Sequence, residues 1–540
     1  MMSKDLLVDP KEFWSNIVSF SDYNLDQVSK YFNQKHRSST IFPVYKKINS
    51  RCYISCLTYW IKKHDSKVAI KLTARNIQGY PVESLWKPID NYFAFNFDVN
   101  QFNYFKLSKE GFCGSLEFEV YFPDVPKFTF PAVSLFYEDL NASSVVHSCM
   151  RIYNLEEKIN DYAIDFPQTG FDVIFGKTNR NYILFFGGNK SKYKLNFLLE
   201  WNDKVFVKEI EINNIHQAQQ HVIFVEDLFS IDEEDLFSID EKDLNAKITI
   251  EHNLDVFPRF YVGVIQQNSI PTLTHTFFDT SNKIFVKKKK CTENFRSKNI
   301  SSEKYFDSAF IVPLLKTEEF NTSIRTYAQH LEFRGEITFK IFESNGNLIH
   351  NRVINGNEAS LWNEKSIFNL SKECETLGLA RNIDYNLYFG FDGFELGFPK
   401  RFKMGLNIKK VNSKIGTNIC FSPLVPTDLE LKKPFSRKWF PLGGPSNFIG
   451  TIHLTSFSRY SEIKPTYITI EFINTRGQKL FKENSLFLNQ SIFIDVSKDI
   501  ELKSFFNNEL GWCFVTASSY CVDAYYFSTR GDQIGGDHAF

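Results

Sequence analysis

The sequence has no excess of charge of either sign. Lysine and arginine together number 63, and so do aspartate and glutamate, so the formal net charge is zero. Nucleic acids and anionic surfaces attract proteins through a basic excess. We therefore expect no nucleic-acid partner for this chain.

Long apolar runs are also missing. No stretch approaches the roughly 20 apolar residues that a membrane-spanning helix needs, so no membrane span is expected. The first residues, MMSKDLLVDPKEFW, lack the apolar core of a secretory signal. The nine cysteines are odd in number and spread along the chain, unlike a disulfide framework. These features favour free thiols and a cytoplasmic location.

The fingerprints of common catalytic and cofactor sites are absent. The chain contains no G-x-x-x-x-G-K-[ST], G-x-G-x-x-G or G-x-S-x-G motif. Cys52 and Cys56 fall on one face of an alternating strand, which is typical of core thiols rather than of metal ligands. We predict no cofactor. Enzymatic activity stays undecided, and these absences weigh against it.

Aromatic residues are abundant. The chain holds 57 phenylalanines and 24 tyrosines but only 4 methionines. Aromatic side chains suit the half-buried surface of a strand, so the composition favours β structure. At 540 residues the chain is too long for one hydrophobic core, which predicts about three to five domains.

Three segments align without gaps and define a repeat. Each alternates apolar and polar residues, as a strand with one buried face does, and then places a glycine at a hairpin turn. The segments are IKLTARNIQGYPVE from Ile70, ITFKIFESNGNLIH from Ile337 and ITIEFINTRGQKLF from Ile468, with turn glycines Gly79, Gly346 and Gly477. A fourth copy starts at Leu195, where Asn202 and Asp203 take the turn. Successive glycines are 267 and 131 positions apart, which indicates four copies with a period of about 130 residues.

The predicted fold class is mainly β, with four tandem β-sandwich-like repeats of about 130 residues and a short helical N-terminal extension. Asp9-Pro10 supplies a helix start, and Phe13, Trp14 and Ile17 follow at helical spacing. The predicted units are a helical extension over 1–40 and β repeats over 41–160, 161–290, 304–425 and 436–540.

Each repeat closes on an aromatic strand, a loop, and then a histidine or asparagine. The residues at this place are His147, His275, Asn418 and His538. Three imidazoles suit zinc, and Asp532 and Asp537 could add oxygen ligands or orient a ring.

Two observations oppose a shared metal site. The three histidines belong to different repeats, and no local H-x-H pair exists. We therefore predict no metal, and we expect each side chain to hydrogen-bond backbone at a strand end. A contact with a ligand or partner, and a zinc site at His147, His275 and His538, stay open as alternatives.

The aromatic stretch Asn91–Phe105 has two interpretations. Exposed rings could stack on sugar rings, giving a lectin-like surface. The alternation of Phe93, Phe95 and Phe97 instead favours a strand with one face in the core, which we prefer.

The leading functional hypothesis is a non-enzymatic multidomain binding or scaffold protein that presents loops to a protein or glycan partner. One alternative is a carbohydrate-active enzyme with an inter-domain site near Asp537 and His538, with Asp532 as a further candidate catalytic residue. Another alternative is a self-assembling structural protein. No oligomeric state follows from the sequence.

Overall fold

Strands dominate the computed structural model. It describes residues 37–64, 68–122, 130–153, 168–201, 204–231, 245–256, 259–267, 269–278, 285–286, 308–326, 335–354, 367–392, 398–399, 404–413, 415–421, 436–444, 446–455, 465–518 and 522–540. The predicted N-terminal helices lie outside these ranges. The first strand begins at Arg37, inside the predicted extension.

The first repeat is a sandwich of two four-stranded antiparallel sheets. Its strands are β1 (Arg37–Lys46), β2 (Arg51–Leu57), β3 (Val68–Arg75), β4 (Pro81–Ile89), β5 (Ala94–Asp98), β6 (Gly111–Tyr121), β7 (Val133–Glu138) and β8 (Ser143–His147). The strand orders are β1-β6-β3-β4 and β5-β2-β7-β8. Helix α1 (Tyr59–His64) follows β2, and helix α2 (Asn103–Leu107) lies between β5 and β6.

The second repeat follows the same plan. Its strands are β9 (Gln168–Ile174), β10 (Asn179–Phe186), β11 (Lys192–Trp201), β12 (Lys204–Asn213), β13 (Gln220–Phe224), β14 (Asn245–His252), β15 (Tyr261–Gln266), β16 (Thr274–His275) and the added β17 (Phe277–Phe278). The orders are β12-β11-β14-β9-β17 and β13-β10-β15-β16. Helix α3 (Val225–Phe229) lies between β13 and β14.

The third repeat is preceded by β18 (Phe285–Val286), which pairs with β25 (Phe398–Pro399). Its other strands are β19 (Ser308–Leu314), β20 (Phe320–Thr326), β21 (Glu336–Glu343), β22 (Leu348–Ile354), β23 (Ile367–Asn369), β24 (Tyr385–Asp392), β26 (Met404–Lys410) and β27 (Gly416–Phe421). The orders are β19-β24-β21-β22 and β23-β20-β26-β27. Helix α4 (Leu370–Thr376) follows β23, and the Asn369 side chain caps its N-terminus.

The fourth repeat completes the series. Its strands are β28 (Ser436–Gly443), β29 (Asn447–Leu454), β30 (Thr466–Ile473), β31 (Lys479–Leu486), β32 (Ser491–Asp495), β33 (Leu510–Ala517), β34 (Val522–Arg530) and β35 (Gln533–His538), with helix α5 (Ile500–Phe506) between β32 and β33. The orders are β28-β33-β30-β31 and β32-β29-β34-β35.

All four repeats share one topology. When the eight strands of a repeat are numbered 1 to 8, one sheet runs 1-6-3-4 and the other runs 5-2-7-8. The repeated glycines lie in the turn between strands 3 and 4, with φ of 87° at Gly79, 88° at Gly346 and 75° at Gly477. Residues with a Cβ rarely adopt this region, which explains why glycine recurs there. The predicted β-sandwich repeats are confirmed.

The interior of the first repeat accounts for two further features of the sequence. Phe95 and Phe97 of β5 are buried, so the aromatic stretch contributes a core strand. Cys52 and Cys56 of β2 are also buried, and burial raises the pKa of both thiols. None of the helices in the described residues has the length and apolar character that a bilayer crossing requires.

The four repeats close into a ring, and backbone hydrogen bonds span three of its four junctions. In three of the four junctions, the first residue of strand 5 donates its N–H to a carbonyl in the turn after strand 3 of the neighbouring repeat. These bonds are Gln220 N to Ile77 O (2.9 Å), Ser491 N to Ser344 O (3.1 Å) and Ala94 N to Asn474 O (3.2 Å). They join repeats 1 and 2, repeats 3 and 4, and repeats 4 and 1. Repeats 2 and 3 meet at the ion pair of Arg325 with Asp172.

Strand 8 of every repeat lies at the centre of this ring, where β8, β35, β27 and β16 contact one another in turn. Thr274 Oγ1 donates to Asn418 O at 2.7 Å, and Thr417 Oγ1 donates to Gly536 O at 3.2 Å. Gly535 permits the close approach of β35 to β8, because a Cβ there would lie 2.9 Å from Ser143 O.

Candidate functional site

The three closing histidines meet at the centre of the ring. The ring centroid of His147 lies 4.8 Å from that of His275 and 4.7 Å from that of His538. Their separation in sequence weighed against a shared site. Closure of the ring removes that objection, because the last strand of each repeat lies at the centre of the ring and brings its closing residue there.

Asp537 is the hydrogen-bond acceptor of this histidine cluster. Its Oδ2 accepts from the backbone N–H of His147 at 2.9 Å and from His147 Nδ1 at 2.7 Å, and its Oδ1 accepts from the backbone N–H of His538 at 2.8 Å. Burial tends to raise the pKa of Asp537, but the contacts with His147 and His538 outweigh it, so the pKa lies below its ordinary value. The carboxylate is therefore ionised at neutral pH and ties repeat 4 to repeat 1.

Arg259 of repeat 2 approaches the other side of the same imidazole. Its Nη1 lies 3.3 Å from His147 Nε2. A guanidinium can only donate, so Nε2 accepts and the ring proton sits on Nδ1, where it is donated to Asp537. One imidazole thus connects a cation from repeat 2 with an anion from repeat 4.

The other two histidines bond to backbone next to the end of their strands. His275 Nδ1 donates to Thr276 O at 2.7 Å, and His538 Nδ1 donates to Ala539 O at 2.9 Å. Burial lowers the pKa of His275 well below its ordinary value, with Arg259 adding to the effect. Burial, followed by His147, lowers the pKa of His538 to about 3. Both rings are therefore neutral at physiological pH.

A metal ion fits this arrangement poorly. His147, Asp537 and His538 offer ligand atoms that all lie within 4.8 Å of one another. Both nitrogens of His147 already have partners, and the guanidinium of Arg259 would repel a cation. His147, Asp537 and Arg259 instead form a hydrogen-bonded connection between repeats 1, 4 and 2, which we call the central lock.

Most of the side chains in and beside the central lock are too buried for easy contact with a substrate. His147 and Asp537 are buried, with exposed fractions of 6% and 4%, which leaves little of either side chain open to a polymeric substrate, whereas His538 is half-buried. Cys149, two residues from His147, is buried as well, and burial raises the pKa of its thiol to about 12. At neutral pH it carries the proton and is a weak nucleophile.

The remaining candidate residues from the sequence lie elsewhere. Asp532 is exposed in the turn between β34 and β35. Because a strand rises about 3.4 Å per residue, Asp532 is roughly 17 Å along the chain from Asp537. Asn418 of β27 occupies the third repeat's closing position, and its Nδ2 donates to Asp172 Oδ2 at 3.3 Å.

A cavity between repeats 2 and 3, lined by both polar and apolar residues, escaped the sequence-based predictions. It has a volume of about 350 Å³ and takes its lining from strands of both repeats, reaching Ser144 and Ile534 near the centre of the ring. The half-buried Asp172 and the buried Arg325 form an ion pair in its wall, and Asn407 Nδ2 also donates to Asp172 at 3.4 Å. No local motif marks this cavity, because its residues come from distant parts of the chain.

The exposed edge strands are a second feature that sequence reasoning missed. Strand 4 is the outermost strand of its sheet in every repeat, and within the described residues no strand pairs with its outer edge. Each of these strands carries exposed apolar side chains: Val82 and Leu85 in β4, Val205, Phe206 and Val207 in β12, Leu348, Ile349 and Val353 in β22, and Phe481 in β31. Consecutive apolar residues such as Val205–Val207 resemble a buried strand in sequence, which hides their exposure.

No protein-family model matches the chain, and no curated protein matches it. Among solved structures, a tetra-tandem repeat from the extending region of a large adhesion protein aligns with 88% of this chain and 91% of its own, at 8% identity and a TM-score of 0.10. The FN1–FN3 domains of chicken CNTN1 align with 71% of this chain and 97% of their own, at 9% identity and a TM-score of 0.10. Structural similarities this weak support no conclusion about function.

Proposed function

We propose that the chain is a non-enzymatic binding or scaffold protein that captures extended segments of a partner protein along the strand-4 edges. One observation carries this proposal: β4, β12, β22 and β31 all combine an unpaired outer edge with exposed apolar side chains. Such an edge offers backbone hydrogen bonds to an added strand, while its side chains supply selectivity.

The ring strengthens such binding. It holds four equivalent edges in one molecule, so a partner with two or more extended segments binds the second one intramolecularly. The gain in avidity requires no new contact at any single edge. A scaffold for flexible, multi-segment partners is the role that this geometry supports best.

A cytoplasmic location is part of the same proposal. The seven cysteines that the structure describes are thiols rather than disulfides, and all are buried. Thiols persist in a reducing compartment, which supports this location.

The alternatives have weaker support. A carbohydrate-active site at Asp537 and His538 would need access that the burial of Asp537 denies. Self-assembly would use the same edge strands as partner binding, so it must be separated by experiment.

The test uses peptides selected against the full chain from a displayed random library, with affinities measured by calorimetry. We expect extended apolar peptides to bind. N-methylation of alternate peptide residues should abolish binding, because it removes the backbone donors that pair with an edge. Val207→Lys, at a residue whose side chain is 72% exposed, should weaken binding to β12 without unfolding the repeat.

Ile48→Lys is the matched control, since Ile48 is as exposed as Val207, at 71%, but lies in the turn between β1 and β2. It should leave peptide binding unchanged. Equal loss in both variants, or binding that tolerates N-methylation, would contradict the proposal. Concentration-dependent oligomers in sedimentation velocity that Val207→Lys disperses would favour the self-assembling alternative.

A further inference from the structure

We propose that the centre of the ring is an acid-sensitive switch: when its histidines take up protons, repeats 1 and 4 separate while all four repeats stay folded. The histidine cluster consists of His147, His275 and His538, and it includes the imidazole of the central lock. This device goes beyond the proposed protein-binding function, because it acts on the ring whether or not the strand-4 edges bind a peptide.

The three histidines are close enough to repel one another once they are charged. The ring centroids of His275 and His538 lie 4.8 and 4.7 Å from that of His147. Like charges at this separation repel one another strongly when they are shielded from water. The three residues belong to repeats 1, 2 and 4, so the repulsion acts between repeats rather than within one.

Two fixed cations add to this repulsion. Burial is the main cause of the lowered pKa of both His275 and His538, and Arg259 adds to it at His275 while Lys438 of β28 adds to it at His538. Asp537 supplies the carboxylate that faces the cluster, and this carboxylate already accepts three hydrogen bonds. Further positive charge in the cluster therefore raises the free energy of the closed ring.

The other titratable side chains beside the cluster are neutral in acid. Tyr261 is paired with His275 in one sheet, Tyr525 is paired with His538 in another, and Cys149 lies two residues after His147. Burial raises the pKa of all three groups. None of them supplies a negative charge that would offset a protonated histidine.

Proton linkage gives the direction and the size of the effect. In the closed ring the pKa of His538 is about 3 and that of His275 lies well below its ordinary value, whereas a hydrated histidine has a pKa of about 6.5. Below a pH of about 6.5 the open ring therefore takes up protons that the closed ring excludes, so closure weakens as the pH falls. Two such histidines weaken closure roughly a thousandfold between a pH of about 6.5 and a pH of about 5. Asp537 stays ionised over this range, because its pKa lies below its ordinary value.

The ring should open between repeats 4 and 1. The other three junctions join repeats that are consecutive in the chain, so the polypeptide keeps those repeats together. Repeats 4 and 1 have no such link, and the hydrogen bond from His147 Nδ1 to Asp537 Oδ2 crosses between them. Their separation admits water to the cluster, and it frees the strand-4 edges of the two repeats to move relative to one another.

Fluorescence energy transfer across this junction tests the switch in the full chain. Non-natural residues that carry the two dyes replace Leu107 in repeat 1 and Ile500 in repeat 4, whose side chains are 82% and 86% exposed. Transfer is measured from a pH of about 7.5 to a pH of about 5, and far-UV circular dichroism follows the strands in the same samples. We expect transfer to fall reversibly below a pH of about 6.5, before the circular dichroism changes.

The double variant His275→Asn, His538→Asn should stay closed. Asparagine occupies the equivalent place in repeat 3, at Asn418, and a carboxamide can donate to the backbone as Nδ1–H does without taking up a proton. The double variant should therefore keep its neutral-pH transfer at a pH of about 5. If it does not fold, His538→Asn alone should need a lower pH than the unmodified chain to open.

His453→Leu is the matched control. It removes another buried histidine of repeat 4, whose ring nitrogens have no hydrogen-bond partner in the described structure and which lies outside the cluster. This variant should open at the same pH as the unmodified chain.

Three results would overturn the inference. Transfer that stays constant down to a pH of about 5 would show that the ring remains closed. Transfer that changes only together with the circular dichroism would show that acid unfolds the repeats instead of separating them. Equal responses of the double variant and the unmodified chain would show that another group senses the acid. Peptide capture at β12 is measured at neutral pH, so these results leave the proposed protein-binding function separately testable.

Discussion

Mild acid should destabilise this protein through its buried histidines. Burial lowers the pKa to about 4 for His252 and to about 3 for His453 and His538, and it takes the pKa of His275 well below its ordinary value. In an unfolded chain a histidine has a pKa of about 6.5. Below that pH the unfolded state takes up protons that the folded state does not, so the free energy of unfolding falls as the pH falls.

The size of the effect follows from proton linkage. Each such histidine contributes about 1.4 kcal/mol per pH unit below a pH of about 6.5, so lowering the pH from about 7.5 to about 5 removes roughly 2 kcal/mol. Four histidines together remove roughly 8 kcal/mol. That loss is comparable with the whole stability of a typical domain, about 5–15 kcal/mol.

His453 gives the sharpest test, since its side chain is fully buried in β29 and neither ring nitrogen has a hydrogen-bond partner in the described structure. His453→Leu should be at least as stable at neutral pH, and it should lose about 2 kcal/mol less on acidification. Urea unfolding followed by tryptophan fluorescence at several pH values measures both. The exposed control His216→Asn should keep the slope of the unmodified chain. An unmodified chain of constant stability over this range, or a His453→Leu variant with an unchanged slope, would refute the reasoning.

Three further outcomes test the central lock. Asp537→Ala should lower the free energy of unfolding by about 3 kcal/mol or more in chemical denaturation, because three buried donors lose their acceptor. The control variant Asp532→Ala, in an exposed turn, should change the free energy of unfolding by less than about 0.5 kcal/mol. Gly535→Ala should lower the free energy of unfolding by about 1–3 kcal/mol in the same assay, because the new Cβ would collide with Ser143 O. An unchanged free energy of unfolding would show that β35 and β8 are not so closely packed. Added Zn²⁺ should leave the melting temperature unchanged, because an arginine guanidinium lies against His147; a rise would show that a metal displaces it.

The sequence predicted the repeats because their signals are local. Alternation over a few residues and a glycine such as Gly79 or Gly346 report on one hairpin, and a hairpin forms from adjacent chain. The centre of the ring is not local: the contact of His147 with Asp537 depends on how repeat 4 returns to repeat 1. The signal was nevertheless present, since residues at the same place in each repeat must lie near one another when the repeats surround an axis. The cavity at Asp172 and Arg325 had no such signal, because its two sides differ.

Ring closure changes what the junction between repeats 4 and 1 has to accomplish. These two repeats are the most distant in sequence, yet the other three junctions hold them side by side at a high effective concentration. The junction therefore need not overcome the loss of translational and rotational freedom that two separate molecules would incur on association. The junction combines polar contacts, such as Ser143 with Ser528 at 2.7 Å, with aromatic ones, such as the stacking of Tyr59 on Trp439 with ring centroids 4.7 Å apart. The contacts between repeats 4 and 1 therefore only have to hold together two surfaces that the other three junctions already keep aligned.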